Sequence, residues 1–300
     1  MLVAGVELGG TKCVCLLGSG PHDVRERRRL DTRDPASTLA ALHEVLLGWH
    51  AREPLQGLGI ASFGPLDVDV GSATFGSIVS TPKPGWSAAN LLAALAVDAV
   101  PMELDTDVNA AALAEHRWGG ARGLDHYVYV TVGTGIGVGT VVHGRPVRGI
   151  GHSEAGHLRV GRLPGDPWPG ACPFHGDCVE GLASGPAIAA RVGAPPEQLP
   201  STHAAWDTVA FALAGLIHNL VLSVAPQRIL VGGGIAGGQP HLLPRVRSAV
   251  VTSLAGYAHG ASAVRDIEHY VAAPVLGDDA GPLGALALGL AAAERRCPSK

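Results

Sequence analysis

Lysine is almost missing from this chain, which carries it only at positions 12, 83 and 300 of 300 residues. Lys and Arg total 22 against 26 Asp and Glu, a formal charge of −4. No basic block exists to neutralise a phosphate backbone, which argues against nucleic acid as a partner. Aromatic residues are scarce as well, 4% within a hydrophobic total of 47%, so the core has to come mostly from Ala, Val and Leu. No apolar run reads as long and uninterrupted enough to span a bilayer, so no membrane is expected. Met1 to Ser19 lacks the basic start of a signal peptide and sets Glu7 and Lys12 inside its apolar part. The P-loop pattern G-x-x-x-x-G-K-[ST] is absent, and so is a G-x-G-x-x-G turn after the first strand. Cysteine occurs five times. Two of the five fall in a metal-like cluster, which points to a reduced cytoplasmic setting and not to a disulfide framework.

Glycine is what the chain has in quantity, 42 residues, and it falls at turns. Leu2 to Leu8 is a short apolar run, Gly9-Gly10-Thr11-Lys12 a turn, and Cys13 to Leu17 a second strand. Arg25 to Leu30 reads as a third strand or a charged edge. Leu39, Leu42, Leu46 and Trp49 recur at helical spacing within 35–49. Leu58 to Phe63 is a buried strand ended by Gly64-Pro65, and 71–86 is a loop. Leu91 to Ala99 reads as a helix, Met102 to Asp105 as a strand, and Ala110 to Trp118 as a helix. The plan then repeats. Tyr127 to Val132, the turn Gly133-Thr134-Gly135-Ile136-Gly137-Val138-Gly139, and Thr140 to His143 form another glycine-turned hairpin. Helices from about Pro186 and over Ala204–Val224 follow, then a strand at Ile229–Val231 running into Gly232-Gly233-Gly234, and a terminal helix at 282–296. Two similar halves predict an α/β duplication, 1–120 and 121–281, with the terminal helix returning to the first and a cleft between the lobes.

Three segments bear chemistry. In the first, Cys172, His175 and Cys178 are spaced C-x2-H-x2-C, with His157 upstream, inside a loop at 151–186. Thiolates and imidazoles at this spacing suit a tetrahedral zinc, and four such donors leave no position for water, so the metal reads as structural. Glu154 and Glu180 flank these ligands as ordered carboxylates or as solvated ones. In the second, Asp105-Thr106-Asp107-Val108-Asn109 joins a strand to a helix. Thr106 or Asp107 caps that helix, or Asp107 is a general base. The third comprises the glycine turns. Each alone is an ordinary hairpin, but together at the openings of two similar halves they read as opposing clamps on a nucleotide's phosphates. Gly232-Gly233-Gly234 offers bare backbone against which adenosine can lie, or is a plain strand-to-helix turn. Cys13 and Cys15 share one strand face as core, and Cys297 shows no partner.

Taken in order, these residues resemble the bacterial ROK family (repressor, open reading frame, kinase) of sugar kinases over nearly the whole chain. The likeness rests on GGTK at 9–12, GPLD at 64–67, D-x-N at 107–109, GTGIGVG at 133–139, ExGH at 154–157, the cysteine–histidine cluster with C-x-E at 178–180, and GGG at 232–234. Family members commonly carry Asp where Glu7 stands, Asn where Thr106 stands, and C-x-C-G-x-x-G-C where this chain has Cys172-x2-His175-x2-Cys178. Those departures, with Ser80 to Trp86 (STPKPGW) and Cys172 to Ile188, are similar to the fructokinase branch.

The resemblance implies an α/β, two-lobed actin/hexokinase-like (ribonuclease H-like) ATPase fold with a zinc-binding loop. It implies ATP- and Mg2+-dependent phosphorylation of a hexose, fructose ahead of mannose or glucose, in a protein that is commonly a homodimer. Asp107 would be the base, and Gly64, Asn109, Glu154, His157 and Glu180 would contact the sugar. Gly9, Gly10, Thr11, Lys12, Gly133, Thr134, Gly135, Gly232, Gly233 and Gly234 would bind nucleotide. His157, Cys172, His175 and Cys178 would hold Zn2+, and Glu7 would hold Mg2+ through water. Two other classes compete. Sugar-responsive repressors of the family carry a helix-turn-helix ahead of the first hairpin, which here starts at residue 2. A zinc hydrolase needs an open metal position and leaves both glycine hairpins without a purpose.

Overall fold

The computed structural model describes residues 1–296, and Cys297 lies outside them. The chain divides into two compact units. The first holds Met1–Arg122, Pro146–His152 and the stretch from Asp279 onward, and the second holds Gly123–Arg145 and Ser153–Asp278. The division is less simple than two successive blocks, because Pro146–His152 leaves the second half of the sequence for the first unit.

The first unit is built on five strands: β1 (Val3–Leu8), β2 (Lys12–Gly20), β3 (Asp23–Asp31), β4 (Gly57–Ser62) and β5 (Met102–Thr106), in the order β3-β2-β1-β4-β5. β1, β2 and β3 pair antiparallel, while β4 and β5 add parallel to β1 and need crossovers. The first crossover is α1 (Pro35–Arg52). Asp34 accepts from Ser37 N at 3.0 Å with Pro35 at the helix start, and the buried face is Leu39, Leu42, Leu46 and Trp49. The ambiguous arginine-rich segment is the edge strand β3, where charge discourages further pairing.

The second crossover contains only a short helix, α2 (Leu91–Leu95). It stops before the expected Ala99 because Ala96 is extended and Ala99 is left-handed at φ 59°. The next helix, α3 (Asp107–Trp118), starts earlier than expected, because Thr106 accepts from Asn109 N at 3.2 Å. The C-terminal helix (Ala280–Arg296) packs on this sheet at van der Waals range. A Cβ on Gly59 would lie 1.9 Å from Ala285 O, so only glycine permits the approach.

The second sheet comprises β6 (Tyr127–Val132), β7 (Ile136–Val142), β8 (Arg145–Pro146), β9 (Arg228–Gly232) and β10 (Val271–Ala272), ordered β10-β9-β6-β7-β8. As in the first unit, a glycine-turned antiparallel hairpin pairs with a parallel strand, here β9 against β6. The helices of the second unit are α4 (Val179–Ala183), α5 (Gly185–Val192), α6 (Ala205–Val224), α7 (Gly234–Gly238), α8 (Leu242–Leu254), α9 (Gly260–Arg265) and α10 (Ile267–Tyr270). Ser184 caps α5 by accepting from Ala187 N at 3.3 Å. The reading that no apolar run is long enough for a bilayer is corrected by α6, whose 20 residues and mean hydropathy of 1.6 pass on length and composition. Its apolar surface packs inside the unit instead. Trp206, Val209, Leu213, Leu216 and Ile217 are buried with Val128, Val130 and Val231 of the sheet.

Candidate functional site

In the first unit, chemistry gathers at the ends of β1 and β5. Gly9 N donates to Lys12 O at 3.0 Å and closes the hairpin turn. Thr32 Oγ1 donates to Gly9 O at 2.7 Å, and Thr32 N donates to Thr11 O at 3.0 Å. A Cβ on Gly9 would sit 2.7 Å from Lys12 O, whereas Gly10 faces open space. The turn is thus fixed from behind and bare in front, with Gly10, Thr11 and Lys12 exposed. Such exposed, ordered N–H groups suit an anion.

Glu7 stands at the end of β1 below this turn. Burial, then the negative charge of Asp107, pushes its carboxyl up to about 7, against smaller opposing effects of Lys12 and Arg27. A buried carboxyl raised by the charge of a second carboxylate is a setting a divalent cation would relieve.

Asp107 opens α3, and the capping question resolves in favour of Thr106, which leaves Asp107 to the first turn with Oδ1 accepting from Val108 N at 2.8 Å. Behind it lies a buried polar network. The Asp105 carboxylate, 1% exposed, accepts from Thr106 N and Asn109 Nδ2 at 2.8 Å each and from Arg148 Nη2 at 2.6 Å. Asn109, expected as a sugar contact, is buried and donates its amide inward to Asp105. Its work is to fix the first turn of α3. Gly64 follows β4, and the loop after it is held by Asp67, which accepts from Ser72 and Thr74 hydroxyls at 2.5 and 2.6 Å. His152 Nε2 accepts from Leu66 N at 2.9 Å. Arg148 and His152 therefore anchor Pro146–His152 within this unit.

In the second unit the four expected metal ligands converge. Their donor atoms all lie within 4.8 Å of one another. His157 Nδ1 is 3.6 Å from Cys172 Sγ, 3.5 Å from Cys178 Sγ and 3.3 Å from His175 Nδ1, and His175 Nδ1 is 3.7 Å from Cys172 Sγ. Zinc bonds of about 2.3 Å to sulfur and about 2.0–2.1 Å to nitrogen, at tetrahedral angles, give edges near 3.6 Å for S···N and near 3.3 Å for N···N. The donor set therefore fits a closed tetrahedral zinc. Burial pushes the Cys178 thiol up to about 11, so its thiolate calls for a nearby cation.

The loop is also braced without metal. The buried Asp166 carboxylate pairs with Arg191 and Arg162, and Arg162 reaches Asp177 Oδ2 at 3.3 Å, between two ligands.

Glu180 does something the sequence did not reveal. Its Oε2 accepts from Ile136 N at 3.1 Å, while Oε1 lies 3.9 Å from His157 Nε2, the nitrogen facing away from the other donors. A Cβ on Gly135 would be 2.7 Å from Glu180 Oε2. One carboxylate thus links the ligand cluster to the turn Gly133-Thr134-Gly135. Glu154 is exposed at the head of the short turn Ala155–His157. Within Gly232-Gly233-Gly234, Gly232 is buried, and Tyr129 Oη and Pro274 fill the space its Cβ would need. Its missing side chain serves packing, whereas Gly234 faces open space.

A sequence profile of the ROK family matches residues 3–292. The chain belongs to the ROK family. It is 39% identical over 294 residues to a fructokinase of Zymomonas mobilis, with 96% of each chain covered. It is 35% identical over 293 residues to a fructokinase of Pediococcus pentosaceus, covering 97% of this chain and 99% of that one. The solved ROK hexokinase of Thermus thermophilus superposes with a TM-score of 0.72 at 28% identity, over 97% of this chain and 98% of the other. The fold is the actin/hexokinase-like fold of ROK proteins.

Sequence reading missed Asp105, Arg148 and the Asp166–Arg191 brace. Charged residues that end up buried are invisible until their partners, distant in the chain, are known. The one available signal was Asp105 itself, an acid flanked by Leu104 and Thr106 at the end of an apolar strand.

Proposed function

We propose that this protein is an ATP- and Mg2+-dependent fructokinase that transfers the γ-phosphoryl group to D-fructose, giving fructose 6-phosphate. The observation that carries the reading is the 35–39% identity to curated fructokinases across almost the whole chain. The arrangement around Asp107 supports it. Asp107 takes the proton of the attacking sugar hydroxyl, and its carboxylate accepts from Val108 N on a helix turn ordered by the Asp105–Asn109–Thr106 network.

Gly64, Glu154, His157 and Glu180 are read as the sugar contacts. Gly9, Gly10, Thr11, Lys12, Gly133, Thr134 and Gly135 are read as phosphate contacts, with Gly233 and Gly234 beside the nucleoside. Glu7 would hold Mg2+ through water, and the ion would neutralise charge on the phosphate oxygens. Zn2+ would be held by His157, Cys172, His175 and Cys178, where it would stiffen the loop. The four described cysteines form no disulfide, which suits the cytoplasm, where ATP and reduced thiols coexist. A homodimer completes the reading.

The test is ADP release from ATP with fructose, mannose, glucose, N-acetylglucosamine and N-acetylmannosamine. Fructose should give the highest kcat/KM. A clear preference for mannose or glucose would reassign the substrate, and no ADP release with any hexose would overturn the kinase reading.

A further inference from the structure

Lys83 is one of only three lysines and sits half-buried in the loop between β4 and α2. Its Nζ donates to Gly10 O at 2.5 Å and lies 5.9 Å from the centroid of the Phe63 ring. The backbone that presents it is fixed. Trp86 N donates to Lys83 O at 3.3 Å, and Trp86 itself is wholly buried, edge-on to Phe63 at 5.3 Å. The Trp86 indole N–H donates to Arg33 O at 3.0 Å. A lysine free to follow solvent would extend away from the protein. This one is folded back over the glycine turn, where Gly10 presents bare backbone with nothing near its Cβ position.

Its two neighbours have different expected roles. Gly10 belongs to the turn read as a phosphate cradle, and Phe63 directly precedes Gly64, read as a sugar contact. The ammonium thus stands between the phosphate side and the acceptor side of the first unit. It has three N–H donors, and one is engaged by the Gly10 carbonyl. From these placements we infer that Lys83 binds the phosphoryl group in transfer. This rests on the kinase reading above.

In the step, the sugar O–H bond breaks and its proton passes to Asp107. The sugar oxygen bonds to the γ-phosphorus, and the bond from that phosphorus to the β,γ-bridging oxygen breaks, its electron pair leaving with ADP. Lys83 keeps its protons throughout and donates hydrogen bonds to non-bridging oxygens. In a loose transition state those oxygens carry the charge, so a fixed cation there lowers the barrier more than it tightens ground-state binding.

The test uses full-length Lys83→Met and Lys83→Arg. Lys83→Met should lower kcat about 10²–10³-fold, the range for loss of one preorganised donor, with the hexose KM within about 3-fold of wild type. Calorimetry in the absence of sugar should show binding of the non-hydrolysable β,γ-imido analogue of ATP weakened about 10-fold, with ADP binding unchanged. Lys83→Arg should recover part of kcat. A kcat within about 3-fold of wild type in Lys83→Met, or equal losses for ADP and the analogue, would overturn the inference and leave Lys83 a brace for the turn. Wild-type inactivity on every hexose would instead defeat the kinase reading, and the two nucleotide titrations would still decide whether Lys83 contacts a γ-phosphate.

Discussion

Glu7 ends β1 and Asp107 opens α3 in the first unit, and the charge of Asp107 adds to burial in raising Glu7. The folded-state pKa of Glu7 is raised from 4.5 to about 7, so between those values the native state holds a proton that the unfolded chain has lost. Stability then falls as pH rises through this window, the reverse of a salt-bridged carboxylate, by about 3 kcal/mol at most. Glu7→Gln should therefore melt higher than wild type above pH 7 in the free protein, with the difference fading toward pH 4.5. Scanning calorimetry across pH 4.5–8 checks this, and a variant less stable at pH 8 would contradict it.

Asp107→Asn should lower kcat by about 10²–10⁴-fold, the usual share of a general base. Melting should change little, because Thr106 and not Asp107 caps α3. Single-turnover assays with matched melting curves separate the two effects. At this scale the sequence displayed the candidates but not their surroundings. D-x-N at 107–109 was plain, yet Asn109 turned inward because Asp105, at helical distance i+4, needed a donor once both were buried.

Among the elements, the cysteine–histidine loop was the most legible, since Cys172, His175 and Cys178 are close in sequence and short spacing nearly fixes their geometry. What spacing did not convey was Glu180 joining His157 to the turn at Gly135 and Ile136. That contact depends on α4 lying against β7, a packing relation with no local signal. It also predicts how metal loss spreads. Purified protein should contain one zinc per chain by mass spectrometry. Chelation or Cys178→Ser should free His157, slacken Glu180 and raise the hexose KM several-fold. Far-UV circular dichroism should stay near that of the holo protein, because the Asp166–Arg162–Arg191 brace does not use metal. Loss of all structure on chelation would show that the brace is insufficient. Helix ends followed the same logic. The sequence misplaced α2 and α3 because a left-handed Ala99 and a threonine cap are backbone decisions.

The whole molecule depends on pieces of chain returning to distant partners. The C-terminal helix closes the first unit's sheet only because Gly57 and Gly59 let two backbones approach to where a Cβ cannot stand. Gly59→Ala should cost about 1–3 kcal/mol, as overpacking does, measurable as a lower urea midpoint with an unchanged slope. An effect under about 0.5 kcal/mol would mean that the helix shifts freely. Pro146–His152 is a second such return, held by Arg148 on Asp105 and His152 on Leu66.

The sequence alone determined the two glycine-turned hairpins and marked the cysteine–histidine quartet and Asp107 as candidates. Each is local, set by glycine conformation, short spacing or a residue's own chemistry. Tertiary structure alone decided that Asn109 donates to Asp105, that Tyr129 and Pro274 pack against Gly232, that Glu180 is shared between ligand cluster and turn, and that Lys83 bends over Gly10. Those outcomes depend on which distant groups burial leaves in need of a partner, and that need exists only once the chain has folded.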